Sequence, residues 1–421
     1  MLEQPGRPRD FKPRQPRRLW RRRVKLQIAP IMAAKPPPTR LSCCGSAADE
    51  ARLAADLTWI SSQVIAAIAP DHLRALVLEG AYARGEGVPV PNFTLEDDGY
   101  ALVVVVAATD PELRAIIQVR LDKIIHRARD QQQIGLQLRM MRWECLNQTS
   151  PSLLNSELRW THRVLIGDPN VFKRMPLLPL WRAPQGEIIH RLVSQGQRLL
   201  VNQQRLLAVG TPTDSEREQM FDSLMRVLVE CGAVRLAALG MYHPSLEIRK
   251  ERLEALEERH HAKFMALYRV AHRYALRPDM RLFEEAHPLD WQARVIWLWL
   301  DSLRRFETAR LGRACPDWEH YCSAFVDKAQ RDGGGVLHHL IANARHFGVL
   351  EWLRRPLWSL RHPRARLISS LPLLLSDHHG LPAPALRHAL ALPARSSWSQ
   401  AVERFHALQN ELNETYEPKP I

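Results

Sequence analysis

A glycine-rich segment between residues 80 and 87 is the part of the sequence best suited to phosphate chemistry. It reads Gly80-Ala81-Tyr82-Ala83-Arg84-Gly85-Glu86-Gly87 and directly follows a short apolar run, Leu73 to Leu78. Glycines let backbone amides approach a phosphate without interference from Cβ, and Arg84 adds a cation. The pattern predicts a nucleotide-binding loop carried by Gly80, Ala81, Arg84, Gly85 and Glu86. Three glycines could equally serve a tight turn.

Carboxylates follow this loop along the chain. Glu96, Asp97 and Asp98 precede a run of β-branched residues, and Glu144 follows a later, loosely alternating stretch. Glu96 and Asp98 have the one-residue spacing that puts both side chains on one face of an extended segment. Because magnesium prefers anionic oxygen ligands, one interpretation makes these carboxylates, Asp98, Glu96, Asp97 and Glu144, candidate ligands of a metal. The other interpretation is a solvated turn before a buried strand.

The glycine loop resembles that of the polymerase-beta-like nucleotidyltransferase superfamily, in particular bacterial proteins whose loop reads Gly-Gly-Tyr-Gly-Arg-Gly-Glu-Gly. The resemblance continues through residues 163–169 and 240–245 and covers most of the chain after residue 47. It implies a loop after the first strand, two metal-binding aspartates opening the next strand, and a third carboxylate on a later strand. In such enzymes two magnesium ions orient a nucleoside triphosphate while an acceptor hydroxyl attacks its α-phosphate. A helical second domain would close over the acceptor.

The carboxylates that the resemblance implies are missing at the matching positions. Asp98-Gly99-Tyr100-Ala101 aligns with Asn-Asp-Tyr-Asp, so Gly99 and Ala101 stand where metal-binding aspartates are usual. Residues 138–143, the region of the third carboxylate, offer only basic and apolar groups. The resemblance therefore implies a catalytically degenerate nucleotidyltransferase that retains a nucleotide pocket or serves as a scaffold.

The alternative is an active magnesium-dependent nucleotidyltransferase that transfers a nucleoside monophosphate from a nucleoside triphosphate to a hydroxyl acceptor. It requires a shift of register in which Glu96 and Asp98, or Asp97 with Glu144, rebuild the metal site. Magnesium and a nucleoside triphosphate are the cofactors of that alternative. The acceptor and the nucleobase are not indicated by the sequence.

Hydrophobic periodicity predicts the elements that position the loop. Ser46 can cap a helix whose apolar stripe ends before Pro70. Strands are predicted at Leu73–Leu78, 101–107 and 134–143, with a helix at 110–129 between the last two. Beyond Asp168 only helical spacing remains, in these stretches: 181–207, 216–239, 246–276, 292–311, 318–328 and 399–412. The sequence predicts an α+β fold, a small mixed-sheet nucleotidyltransferase-like domain followed by an all-helical domain.

The predicted boundaries divide the chain into a disordered basic tail (1–45), the nucleotidyltransferase-like domain (46–180), a helical domain (181–330) and a helical C-terminal region (331–421). Residues 1–40 hold 12 Lys and Arg against two acidic residues, whereas the remainder is nearly balanced. Such a tail could bind nucleic acid or anionic lipid, or it could be a solvated extension, with Met32 as a better start. A nucleic-acid role ranks last because the rest of the chain supplies no basic track.

Other residue types exclude several classes of protein. No run approaches the ~18 apolar residues of a membrane span, so we expect no membrane partner and a cytoplasmic location. The six cysteines include no CxxC pair, which indicates neither a zinc site nor a disulfide framework. The histidine pairs at 260/261, 338/339 and 378/379 are expected at the surface, and the tryptophans at 291, 297, 299, 352, 358 and 398 in the core.

Overall fold

Four strands form one mixed sheet in the first half of the chain. In the computed structural model they are β1 (Leu73–Glu79), β2 (Tyr100–Val106), β3 (Leu136–Arg142) and β4 (Arg163–Gly167), in the order β3-β2-β1-β4. Strand β1 is antiparallel to both its neighbours, and β2 and β3 are parallel. The residues that the structure describes are 39–89, 99–108, 110–179, 183–209, 212–256, 261–284, 286–323, 335–354, 356–376 and 382–416.

Helices cover both faces of this sheet. Helix α1 (Ala47–Ala67) begins at the capping box of Ser46 and Asp49, and α3 (Pro111–Gln132) begins at the N-cap Asp110. Both pack on the sheet face of Leu76, Leu102 and Val104. The opposite face, with Val77, Val103 and Val105, packs against Leu146, Leu158 and Phe172. Helices α2 (Gly80–Ala83) and α4 (Leu153–Thr161) and the 3-10 helices Trp143–Gln148 and Val171–Arg174 complete this part.

The rest of the described chain is helical. Its helices are α5 (Gln185–Val209), α6 (Asp214–Ala238), α7 (Leu246–Glu254), α8 (His261–Leu276), α9 (Pro288–Leu311), α10 (Trp318–Ser323), α11 (Val336–Phe347), α12 (Val349–Arg354), α13 (Pro356–Ser359), α14 (Pro363–Ser376), α15 (Pro384–Leu390) and α16 (Trp398–Tyr416). A 3-10 helix, Met280–Phe283, precedes α9. Helix α6 is central because it packs against α5, α7, α8 and α9.

The predicted α+β class and the three predicted strands are confirmed, and several details differ. Strand β4 was not predicted. The stretch 246–276 forms two helices, and residues 331–421 form several short ones before the predicted final helix. Residues 39–45, assigned to the disordered tail, are packed, because Leu41 and Ser42 donate backbone hydrogen bonds to Glu50. The rest of the predicted tail lies outside the described residues.

Residues 37–421 cluster as one compact unit, and the predicted boundaries near 180 and 330 stay predictions. Trp299, Trp358 and Trp398 are buried as expected, whereas Trp297 is exposed. His339 is buried rather than at the surface, because the carbonyl of Leu360 lies 2.9 Å from its Nδ1. The six cysteines are free, and no described helix is long and apolar enough to cross a membrane.

Candidate functional site

The glycine segment forms a tight turn directly after β1. Gly80 and Gly85 adopt φ angles of +77° and +73°, a conformation that favours glycine because it lacks a Cβ. The backbone amides of residues 84–86 donate to carbonyl oxygens of residues 80–82, and the amide of Gly87 donates to Leu41. These amides are satisfied within the protein, so they do not form the backbone cradle that the sequence predicts. Any ligand contact from residues 84–87 must come from side chains.

Glu86 links this turn to the helical part of the protein. Its buried carboxylate accepts hydrogen bonds from Nε of Arg84 and from the backbone N–H of Leu246, each at 2.8 Å. Leu246 is the first residue of α7, so residues 240–245 lie beside the glycine turn. Of the predicted nucleotide-binding residues, Glu86 is therefore an anchor for the turn, and it holds Arg84 by an ion pair.

An ion pair also occupies the sheet face next to the turn. The guanidinium of Arg139 on β3 donates to Oε2 of Glu79, the last residue of β1, at 2.9 Å. Strand β2 lies between these strands, with Ala101 in register with both Glu79 and Gln137. Because residues in register share a face, the pair crosses β2 beside the small side chain of Ala101. The resemblance implies carboxylates at these positions, but the chain has the methyl group of Ala101 and the guanidinium of Arg139 there.

Gly99 has no room for a side chain. A Cβ at this position would lie 2.2 Å from the carbonyl carbon and oxygen of Gly135, which are backbone atoms that cannot rotate away. The next residue, Tyr100, donates its backbone N–H to the same carbonyl at 2.8 Å. An aspartate at position 99 is incompatible with this close contact between the start of β2 and the start of β3.

Of the four predicted carboxylates, Glu144 is the one that lies among the described residues, and it is remote from the glycine turn. Glu96, Asp97 and Asp98 lie outside the described residues. Glu144 is exposed and follows β3, whose last residue is in register with Val106 at the end of β2 remote from Ala101. Five strand steps separate those two ends, roughly 17 Å. Among the described residues no three His, Cys, Asp or Glu side chains are grouped so that they could hold a metal.

A cavity of about 310 Å³ lies between the glycine turn and helices α5 to α8. Its charged lining consists of Arg84, Arg198, Asp222, Arg226, Glu230 and Arg249. Its remaining lining is mostly apolar and consists of Val88, Gln195, Met225, Val229, Leu246, Tyr274, Ala275 and Pro278. Cationic groups therefore outnumber carboxylates in the lining, and its apolar side chains are suited to an apolar or aromatic group. The ion pair over β2 does not line this cavity.

Buried polar side chains form the wall of this cavity on its protein side. Arg191 donates to Glu157 at 3.0 Å and lies 3.5 Å from Glu230, and the hydroxyl of Tyr242 also donates to Glu157. These residues come from α4, α5, α6 and the segment before α7. The network therefore fixes the position of the cavity wall relative to the sheet.

Arg249 carries an unsatisfied donor into this wall. Its guanidinium is buried and donates to the carbonyl of Pro244 at 3.3 Å, but its Nε has no hydrogen-bond partner among the described residues. Gln195 Oε1 is likewise without a hydrogen-bond partner there, whereas Glu230 Oε1 is held in the ion pair with Arg191 at 3.5 Å. Burial acts to lower the pKa of Arg249, but the neighbouring Tyr242 and Glu230 outweigh it, so the pKa is raised and the charge is kept. Buried polar groups are usually satisfied, so a polar ligand is a reasonable partner for these atoms.

His243 adds no charge at neutral pH. Burial, together with the nearby guanidinium of Arg252, lowers the pKa of His243 to about 4. Its Nδ1 accepts the backbone N–H of Ser245 at 3.0 Å, which also requires an unprotonated nitrogen. The positive charge of the cavity therefore comes from arginines.

Comparisons with protein-family models, curated proteins and solved structures found no match to the chain. The site is therefore interpreted from its own geometry. Sequence reasoning found Arg84 but missed Arg198, Arg226 and Arg249, which are spread over three helices. The signal that could have found them was the segment 240–245, which the resemblance had marked and which α7 follows directly.

Proposed function

We propose that this protein binds a nucleotide in the cavity beside the glycine turn, without magnesium, and that it is a catalytically degenerate protein of nucleotidyltransferase-like fold. The observation that carries the proposal is the cavity lining, in which four arginines and two carboxylates alternate with apolar side chains. Its volume lies at the lower end of the ~300–1,000 Å³ typical of ligand pockets, which fits a mononucleotide.

The two carboxylates of the cavity lining support binding without magnesium, because Asp222 is paired with Arg226 at 2.7 Å and Glu230 with Arg191 at 3.5 Å. The sheet face, which does not line the cavity, also lacks the carboxylates that the resemblance implies. Gly99 contacts the backbone of Gly135, Ala101 offers only a methyl group, and the carboxylate of Glu79 is already paired with Arg139. Without a metal, phosphate charge must be balanced by side-chain cations, and guanidinium groups do this with directed hydrogen bonds. The domain arrangement expected from the resemblance, a nucleotidyltransferase-like domain followed by a helical one, and a cytoplasmic location are parts of this proposal.

Calorimetric titration of AMP, ADP and ATP, each with magnesium and with EDTA, tests the proposal. We expect binding that is unchanged by EDTA. Arg198→Ala removes an exposed cation of the cavity, and since a charge-assisted hydrogen bond contributes about 1.5–3 kcal/mol, Kd should rise by roughly 10- to 100-fold. Arg84→Ala should also weaken binding. The matched control is Arg127→Ala on α3, which should bind as the unchanged protein does.

Two results would overturn the proposal. Binding that requires magnesium and disappears in Asp98→Ala would identify an active metal site and favour the enzyme instead. Absence of binding for all three nucleotides at millimolar concentration would refute nucleotide binding, and the scaffold role would be the remaining interpretation.

A further inference from the structure

Seven large apolar side chains protrude from the neighbouring helices α11, α12 and α13. Each is between 56 and 71% exposed. They are Val336, Leu337, Ile341, Val349, Leu350, Leu353 and Leu357. The three helices contact one another, so these side chains belong to one part of the surface, called here the apolar surface. Concentrations of exposed apolar side chains on this scale mark interaction sites rather than ordinary protein surface.

Helix α11 is oriented with its polar face inward. His339, Asn343 and His346 are buried, whereas Val336, Leu337 and Ile341 face outward. This orientation is fixed by specific hydrogen bonds. Asn343 accepts from the buried guanidinium of Arg366 at 2.7 Å and donates to the carbonyls of Ser359 and Arg361. Burying these polar groups stabilises the structure only because they are paired, so the outward apolar face is built into the fold.

The charge around the apolar surface is positive. Between residues 333 and 376 the sequence has six arginines and one acidic residue, Glu351, with Asp332 and Asp377 just outside this stretch; Arg361 and Arg366 are buried and do not contribute to the surface charge. Arg345 on α11 and Arg354 on α12 are exposed beside the apolar side chains. A two-fold contact with a second copy would bring like charges together, which opposes association. The partner must therefore be both apolar and anionic.

The exposure of the apolar side chains distinguishes a membrane from a peptide partner. A peptide helix binds in a groove, whose lining is recessed and partly covered. Leu337, Leu350 and Leu353 are each at least 66% exposed and so project beyond their surroundings. Projecting leucines flanked by arginines are suited to the interface of a bilayer, where apolar groups enter the acyl region and cations contact anionic headgroups.

We propose that the apolar surface docks the protein onto an anionic lipid membrane. The contact is peripheral, since no described helix is long and apolar enough to cross a bilayer. The sequence-based expectation of no membrane partner rested on the lack of spans, and it considered anionic lipid as a partner of the basic tail but not of residues 336–357. The apolar side chains and the exposed Arg345 and Arg354 supply one apolar and one electrostatic signal. Stable anchoring commonly takes two such weak signals.

Co-sedimentation of the full chain with large unilamellar vesicles tests this proposal. We expect binding to equimolar phosphatidylcholine and phosphatidylserine, and little binding to phosphatidylcholine alone. The double variant Leu337→Glu/Leu350→Glu should lower the partition coefficient at least about tenfold, because it removes the inserting groups and adds repulsion from the lipid. The matched control is Ile116→Glu on α3, where the replaced side chain is 50% exposed. This control should retain the partition coefficient of the unchanged chain.

Three results would overturn the proposal. The first is failure of the full chain to sediment with anionic vesicles. The second is equal binding by the double variant and the unchanged chain, which would assign the attraction to basic residues elsewhere. The third is a dimer in light scattering without lipid that the double variant dissociates, because a second copy would then cover the apolar surface. Circular dichroism of each variant, expected to match the unchanged chain because all three positions are exposed, excludes unfolding as the cause.

Discussion

Replacement of Gly99 by alanine is expected to destabilise the sheet by about 2–4 kcal/mol. The added Cβ would lie 2.2 Å from the carbonyl carbon and oxygen of Gly135, whereas non-bonded carbon atoms ordinarily stay about 3.5–4.0 Å apart. The backbone of β3 must therefore move by more than about 1 Å, and overpacking of this kind costs about 1–3 kcal/mol. The same movement stretches the 2.8 Å hydrogen bond from Tyr100 to Gly135, whose loss adds about 1 kcal/mol.

Urea unfolding and hydrogen exchange measure this effect, the second reporting on β2 and β3 directly. Gly186→Ala is the matched control, because a Cβ at Gly186 in helix α5 meets nothing within 4 Å. Alanine is favoured over glycine inside a helix by about 0.5–1 kcal/mol, so the control should be neutral or slightly more stable. If Gly99→Ala unfolds at the same urea concentration as the control, position 99 has room for a side chain. The steric reason for excluding a metal-binding aspartate would then be refuted.

Two further predictions concern pH and the ion pair over β2. The pKa of His243 is lowered to about 4 in the folded protein, so between that value and the ordinary pKa of ~6.5 the unfolded chain binds more protons and stability rises with pH. The contribution of His243 to a change from pH 7 to pH 5 should be on the order of 1 kcal/mol, after allowance for partial exposure. In urea titrations His243→Asn should therefore lose that much less stability than the unchanged chain, which also contains His362 with a pKa lowered to about 4. In a double-mutant cycle, Glu79→Gln and Arg139→Gln should show a coupling of about 1 kcal/mol, and the more exposed pair Glu254 and Arg269 less than about 0.5 kcal/mol. Equal coupling energies in the two pairs would contradict the expectation that the less exposed pair, Glu79 and Arg139, is the stronger one.

Local patterns predicted the elements whose own residues determine their structure. The run Leu102 to Val106 is completely buried, as expected for a strand covered on both faces, and Ser46 begins α1 through the predicted cap. Strand β4 was missed because its five residues are only partly buried and carry no alternation of apolar and polar residues. Its place is set by pairing with β1, which is a tertiary interaction.

The residues of the candidate site were harder to predict than the secondary structure, because they are brought together by packing between elements that are far apart in sequence. The glycine segment forms a tight turn, which the sequence offered only as the alternative to a phosphate-binding loop, and the sequence did not show that residues 84–86 use their amides within that turn. Arg198 and Arg249 lie far from Arg84 in sequence and meet it only through the packing of α5 and α7. Long-range proximity of this kind is not encoded in the spacing of single residues.

In the proposed site, the carboxylate of Glu86 competes with any incoming anion for the guanidinium of Arg84. Arg84 is already held by a carboxylate at 2.8 Å, so an arriving phosphate must displace or share an internal ligand of high local concentration. A lone inorganic anion, which offers few other contacts, is disfavoured by this competition. A larger ligand that also engages Arg198 and the apolar side chains of the lining compensates for the loss. Under the proposed function, Glu86 would therefore favour ligands that fill the cavity over small inorganic anions.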